Sequence, residues 1–142
     1  MSQSSPELSN VLAFERRKLS GHRILIVEDE MLIALGLIDI VSALGASWVS
    51  VSRVAKAVAL IATEAFDACI LDMNLAGTPA DDVADALSAR DIPFIITTGY
   101  AVDGIAEKYR GLPRLPKPYL PEHVESALLS VLAAPNSRVR SA

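Results

Sequence analysis

Ala68-Cys69-Ile70-Leu71-Asp72 decides the fold: a short unbroken run of small and apolar residues closed by a carboxylate. A run of this length and kind suits a strand buried on both faces, as in a parallel sheet. A carboxylate is an expensive group to place at the end of such a strand. Ile24-Leu25-Ile26-Val27 repeats the pattern and is followed by two acids, Glu28 and Asp29. Two later apolar runs end near Thr98 and Lys117, so four strand ends carry polar chemistry.

Outward from these runs, apolar strands alternate with segments of helical spacing, the pattern of successive strand-helix units around a parallel sheet. The first strand is predicted over about 23–28. Its helix, about 30–44, turns Leu32, Leu35, Ile38 and Val41 inward and is stopped by Gly45. Residues 46–52, with Val49 and Val51 on one face, read as an edge strand that also carries Trp48. A second helix over 53–64 is apolar at Val54, Val58 and Ile61. The third strand covers 66–72, and Pro79 opens a third helix to about Ala89. The fourth strand is 93–98. Residues 101–110 form a weak helix interrupted by Gly104. A fifth strand, 112–116, is confined to a sheet edge by Pro113 and Pro116. Pro121 opens a last helix with Val124, Leu128, Val131 and Leu132 inward.

The chain of 142 residues suits one domain with a real core. Residues 1–20 are expected to be an N-terminal extension, helical from Ser5-Pro6 onward through Leu8, Val11 and Leu12; residues 21–134 form the domain and 135–142 a disordered tail. The Glu15-Arg16-Arg17-Lys18 run reads as a solvated face, with self-association or partner docking as the alternative. Apolar residues are 51% of the chain, yet no run reaches the roughly 18–20 needed to cross a bilayer, and no signal peptide opens the sequence. A cytoplasmic, soluble protein without membrane contact is expected. A net charge of −4 argues against nucleic acid as a partner. Cys69, the single cysteine, reads as a small buried hydrophobe.

Loops at the carboxyl ends of parallel strands gather on one side, and ligands bind where the strand order reverses. With the order 2-1-3-4-5, Glu28, Asp29 and Asp72 converge there, flanked by Thr98 and then Lys117. Three carboxylates in one pocket repel, which a protein tolerates by raising a pKa or by binding a cation, and a hard divalent ion resolves the conflict. Magnesium, with manganese as a substitute, accepts carboxylates, a carbonyl and waters; Asp29, Asp72 and the backbone carbonyl of Asn74 are the candidate ligands, with Glu28 acting through water. Asp72 then reads as the nucleophile toward the phosphorus of a phosphohistidine or acyl phosphate. Lys117, aimed by Pro118, is a counterion to the phosphoryl oxygens. Thr98, followed by Gly99, can move inward to donate a hydrogen bond.

In Ile24-Leu25-Ile26-Val27-Glu28-Asp29-Glu30, Ile70-Leu71-Asp72-Met73-Asn74-Leu75, Thr98-Gly99 and Leu115-Pro116-Lys117-Pro118, the chain resembles the receiver domain of two-component response regulators over about residues 22–133. The resemblance implies an α/β, doubly wound (βα)5 flavodoxin-like fold, magnesium-dependent phosphorylation at Asp72, acidic ligands at Glu28 and Asp29, and a histidine kinase or histidine phosphotransfer protein as partner. It implies a phosphoacceptor with self-catalysed transfer and dephosphorylation, not a turnover enzyme. With about ten residues after the last helix, a stand-alone receiver that switches a downstream protein target or relays the phosphoryl group is expected.

Many receivers carry an aromatic residue three places before the lysine, where this chain has Arg114. Ile96-Thr97-Thr98-Gly99-Tyr100 instead is similar to a subgroup whose fourth strand ends Phe-Ala-Thr-Gly, then Gly or Tyr. In that reading Thr98, Gly99 and Tyr100 form the switch, a surface aromatic being the alternative for Tyr100. Asn74 lies where receivers tune the removal of the phosphoryl group by water. Two rival readings are a phosphorylation-independent adaptor and a haloacid-dehalogenase-like phosphatase. The latter needs a second Asp two residues after the nucleophile, where Asn74 stands.

Overall fold

The computed structural model describes residues 18–98, 111–116 and 119–133. Five parallel strands form one sheet in the order β2-β1-β3-β6-β7: β1 Arg23–Val27, β2 Ser47–Val51, β3 Ala68–Asp72, β6 Phe94–Thr98 and β7 Arg114–Pro116. The expected doubly wound order is therefore present. The central strand β3 is buried at every residue, which explains why its sequence is continuous rather than alternating. β2, at one edge, is exposed at Ser47 and Trp48 and half-buried beyond.

Among the described residues four helices cover the sheet: α1 Met31–Ala43, α2 Val54–Thr63, α3 Asp81–Ala89 and α4 Pro121–Leu132. Strand alternation divides the core between the two faces. Leu25, Val27, Cys69, Leu71, Phe94 and Ile96 pack with Ala57 and Ile61 of α2 and Val83 and Leu87 of α3. Ile24, Ile26, Ile70, Ile95 and Leu115 pack with Leu37 and Val41 of α1 and Val124 and Leu128 of α4. Burial pushes the Cys69 thiol pKa up, so the sulfur stays protonated inside the first of these layers.

Helix ends follow local chemistry. Gly45, at φ 89°, stops α1 as its sequence predicts: its N–H donates to the Ser42 carbonyl and the Ala46 N–H donates to that of Val41. The same paired arrangement ends α3, where Asp91 takes φ 56° and the Ile92 N–H reaches the Leu87 carbonyl.

Two expectations need correction. α1 turns Ala34, Leu37 and Val41 inward, whereas Leu32 is 83% and Leu35 48% exposed; the helix is apolar nearly all round, so spacing alone could not choose its face. Pro79 does not open α3. It sits in a two-residue strand, β5 Thr78–Pro79, paired antiparallel with β4 Asn74–Leu75, and the helix begins at Asp81. Lys18 is exposed, as a solvated face implies, and its ammonium meets the Glu125 carboxylate at 2.7 Å. Beside it Leu19, assigned to the extension, is fully buried among residues of α1 and α4, and its N–H donates to the Leu44 carbonyl at 2.8 Å. The helix predicted over 101–110 and the one predicted before residue 18 lie outside the described residues.

Arg23 ties the start of β1 to the segment before β3. Its guanidinium lies over the Phe66 ring at 4.7 Å and pairs with Glu64, while its N–H donates to Asp67 Oδ2 at 2.8 Å. This clamp fixes the β1–β3 register, Ile24 opposite Ala68 and Val27 opposite Leu71. The register brings Glu28 and Asp72, each one residue further on, to the same end of the sheet.

Candidate functional site

Glu28, Asp29 and Asp72 converge at the carboxyl ends of β1 and β3. One carboxylate oxygen from each lies within 4.8 Å of the others. Glu28 and Asp72 are each only 3% exposed, and Asp29 is half-buried. Backbone donors hold both buried acids: the Glu30 N–H reaches Glu28 Oε2 at 3.2 Å, and the Asn74 N–H reaches Asp72 Oδ1 at 3.0 Å. A Glu28 N–H bond to the Val51 carbonyl at 3.0 Å extends the β1–β2 pairing by one residue and sets the first acid in place.

A set of hard oxygen donors this close, two of them buried, could hold a magnesium-sized divalent cation. The β4–β5 hairpin adds the fourth predicted donor. Ala76 and Gly77 both take positive φ, 53° and 87°, the geometry of a two-residue type I′ turn. Pro79, opposite Asn74, has no N–H to offer it. In extended backbone a residue's N–H and C=O leave the same edge of the strand, so the Asn74 carbonyl lies on the edge from which its N–H reaches Asp72. The Asn74 side-chain oxygen is engaged elsewhere, accepting from the Gly77 N–H at 2.9 Å.

The structure thus brings together Glu28, Asp29, Asp72 and Asn74. Thr98 ends β6, its backbone paired with Pro116; its side chain, and Gly99, Tyr100 and Lys117 entirely, lie outside the described residues. Sequence reading missed two features of the surroundings. A cleft of about 500 Å³ beside the acids is lined by Glu28, Asp29, Met31, Ser50, Arg53 and Lys56; the two cations follow the edge strand, so the strand-end rule that found the acids also applies to them. The second is Thr97, the register partner of Asp72, which is completely buried.

No protein-family model matches the chain, and no curated protein matches it. Among solved structures it is similar to SdrG from Sphingomonas melonis Fr1, 43% identical over 79% of this chain and 97% of that one, with a TM-score of 0.71. The BeF3-activated conformation of SdrG from Pseudomonas melonis Fr1 is 41% identical over 81% of this chain and 99% of that one, TM-score 0.67. A third structure, the receiver domain of the sensor histidine kinase PA1611 from Pseudomonas aeruginosa PAO1 with magnesium in its active-site cleft, shares the fold at 23% identity, covering 81% of this chain and 100% of that one, TM-score 0.72. With this strand order, this acid cluster and this identity to SdrG, the chain belongs to the receiver-domain family of two-component response regulators, CheY-like in fold.

Proposed function

We propose that the chain is a single-domain response regulator of a two-component phosphorelay, which accepts a phosphoryl group on Asp72 from a histidine kinase or histidine phosphotransfer protein and thereby switches its binding to a downstream partner. The observation that carries this reading is the convergence of Glu28, Asp29 and Asp72 within 4.8 Å of one another beside the Asn74 backbone. That SdrG has a BeF3-activated conformation supports it, since BeF3 stands in for a phosphoryl group on a carboxylate.

The Asn74 N–H orients the Asp72 carboxylate through Oδ1, and a carboxylate oxygen of Asp72 attacks phosphorus. A P–O bond forms to Asp72 as the P–N bond of the phosphohistidine breaks, and the imidazole departs with its electron pair and takes up a proton. Asp29, Asp72 and the Asn74 carbonyl would hold Mg2+, or Mn2+ in its place, with Glu28 bound through water, and the cation would supply charge neutralisation for the transferring oxygens. Lys117 pairs with the phosphoryl oxygens, Thr98 donates to one of them, and Gly99 and Tyr100 carry the displacement outward. Asn74 sets how readily water reaches the acyl phosphate: its side-chain oxygen closes the hairpin by accepting from the Gly77 N–H, and a carboxamide is not a base. That favours an acceptor over a turnover phosphatase, which would need a base at this position.

The exposed apolar ridge of α1, Met31 at 74% and Leu32 at 83%, begins two residues after Asp29 and supports docking of a helical phosphohistidine carrier beside the acids. No helix among the described residues is long and apolar enough to cross a membrane. Residues 21–134 are the receiver unit, with Leu19 fastening the preceding extension to it.

The test is incubation with acetyl phosphate and magnesium, read by intact mass. One phosphoryl adduct, lost in Asp72→Asn and without magnesium, is the expected result. Wild type that gains no adduct and does not bind BeF3 with magnesium would leave only the phosphorylation-independent adaptor.

A further inference from the structure

Thr97 holds a hydroxyl where the core has no use for one. The residue is 0% exposed, and its Oγ1 makes no hydrogen bond. On β6 it alternates with Ile96 and shares its face with Ile95, the face packed by α1 and α4. Its register partners are Asp72 on one side and Leu115 on the other. Asp72 shares a face of β3 with Ala68 and Ile70, which belong to the same core layer as Ile95 and Leu115. The Thr97 and Asp72 side chains therefore leave adjacent strands toward the same face, across the roughly 4.8 Å that separates neighbouring strands.

A valine would fill the same space without burying an unsatisfied polar atom, and such an atom carries its full desolvation cost. The polar side chain beside it in the register is the Asp72 carboxyl, one of whose oxygens is already held by the Asn74 N–H. Resting on the reading of Asp72 as the phosphoacceptor, we infer that Thr97 is a positioning residue of this site: its hydroxyl, without a partner while Asp72 is unphosphorylated, donates to the Asp72 group once that group carries a phosphoryl or a phosphoryl mimic. A group bonded in one state and unbonded in the other shifts the population toward the first. Thr97 thus acts by favouring the phosphorylated form, separately from Thr98, which stands one residue further on in the sequence.

The test compares wild type, Thr97→Val and Thr97→Ser by urea unfolding and by calorimetric titration with BeF3 in the presence of magnesium. Thr97→Val should unfold at the same or a higher urea concentration than wild type, yet bind BeF3 about fivefold more weakly, the weight of one hydrogen bond. Thr97→Ser, which keeps the hydroxyl and loses only a methyl, should be less stable but regain the wild-type affinity. Magnesium affinity measured without BeF3 should be the same in all three. A merely structural threonine would move stability and affinity together. BeF3 affinity unchanged in Thr97→Val, or equally weak in Thr97→Ser, overturns the role of Thr97 while leaving Asp72 as phosphoacceptor. If wild type itself neither binds BeF3 nor gains a phosphoryl adduct, the Asp72 reading fails and the role of Thr97 fails with it.

Discussion

The Asn74 backbone N–H donates to Asp72 Oδ1 at 3.0 Å, so the hairpin that carries Asn74 also orients the carboxylate proposed to take the phosphoryl group. That hairpin turns through Ala76 at φ 53° and Gly77 at φ 87°. A β-carbon at Gly77 would touch nothing within 4 Å, so Gly77→Ala is a test of backbone strain alone. It should cost about 1 kcal/mol, read as a lower urea midpoint with unchanged slope. Ala76→Asn, which supplies the residue preferred at the first position of such a turn, should raise stability by up to about 1 kcal/mol.

Leu19 and Lys18 make adjacent contacts of very different weight. Leu19 is fully buried against the α1 and α4 layer, and Leu19→Ala should cost about 2–4 kcal/mol through lost burial and the cavity left behind. The Lys18–Glu125 pair keeps 41% and 30% of its side-chain surface in solvent, and exposed pairs contribute less than about 1 kcal/mol. Urea unfolding of Leu19→Ala and Lys18→Ala should rank them in that order, and equal effects would mean that the Leu19 site collapses around the smaller residue.

How much of this was legible in the sequence depended on whether a residue's surroundings were local. β3 announced itself because burial on both faces requires an uninterrupted apolar run, and Gly45 because a left-handed helix stop favours glycine. The convergence of Glu28, Asp29 and Asp72 followed from strand order plus the rule that ligands gather at strand carboxyl ends. Leu32 and Leu35 were misplaced since Met31-Leu32-Ile33-Ala34-Leu35 offers apolar residues on every side, and only the sheet decides which face is covered. Pro79 is as acceptable in a strand lacking a needed donor as at a helix start, so the hairpin left no separate signal. Thr97 looked like one of a pair of threonines, because only the register reveals its neighbour.

The α1 ridge separates docking from chemistry. Leu32 is 83% exposed and makes no core contact to lose, so Leu32→Lys should leave stability within about 0.5 kcal/mol of wild type. Phosphorylation by acetyl phosphate, which needs no protein contact, should be unchanged. Transfer from a phosphorylated histidine phosphotransfer protein should slow about tenfold or more if the ridge receives the donor. Equal slowing with both donors would place Leu32's effect in the acid site instead.

Cys69 reports on opening of the core. Burial raises the thiol pKa, and the residue is fully enclosed between β1 and β6, so neither the thiolate nor a path to it exists in the folded protein. Alkylation by iodoacetamide at pH 8 should be negligible in the native protein and complete in urea. The sign with pH follows: the raised value favours the neutral thiol in the folded state, a stabilisation fully present below the ordinary thiol pKa and lost as pH climbs through the range between that value and the raised one. Cys69→Ser, which buries a stronger hydrogen-bonding group in the same place, should destabilise, whereas Cys69→Ala should cost only the lost contacts.

The acid cluster makes a paired prediction about charge. Three carboxylate oxygens within 4.8 Å of one another repel in the absence of a cation, so Asp29→Asn should make the metal-free protein more stable than wild type, by about 0.5–2 kcal/mol for removing one of the like charges. Adding magnesium should reverse the order. At a hundredfold excess over its dissociation constant a ligand that binds only the folded state stabilises by about 2.7 kcal/mol, a gain open to wild type and reduced in the variant because one ligand is weakened. The measurement is the thermal midpoint of both proteins in EDTA and across a magnesium titration. Crossing curves assign Asp29 to the cation. Parallel curves, with wild type gaining no more than the variant, would mean that magnesium acts only by general screening and that the repulsion is relieved by solvent at the half-buried Asp29.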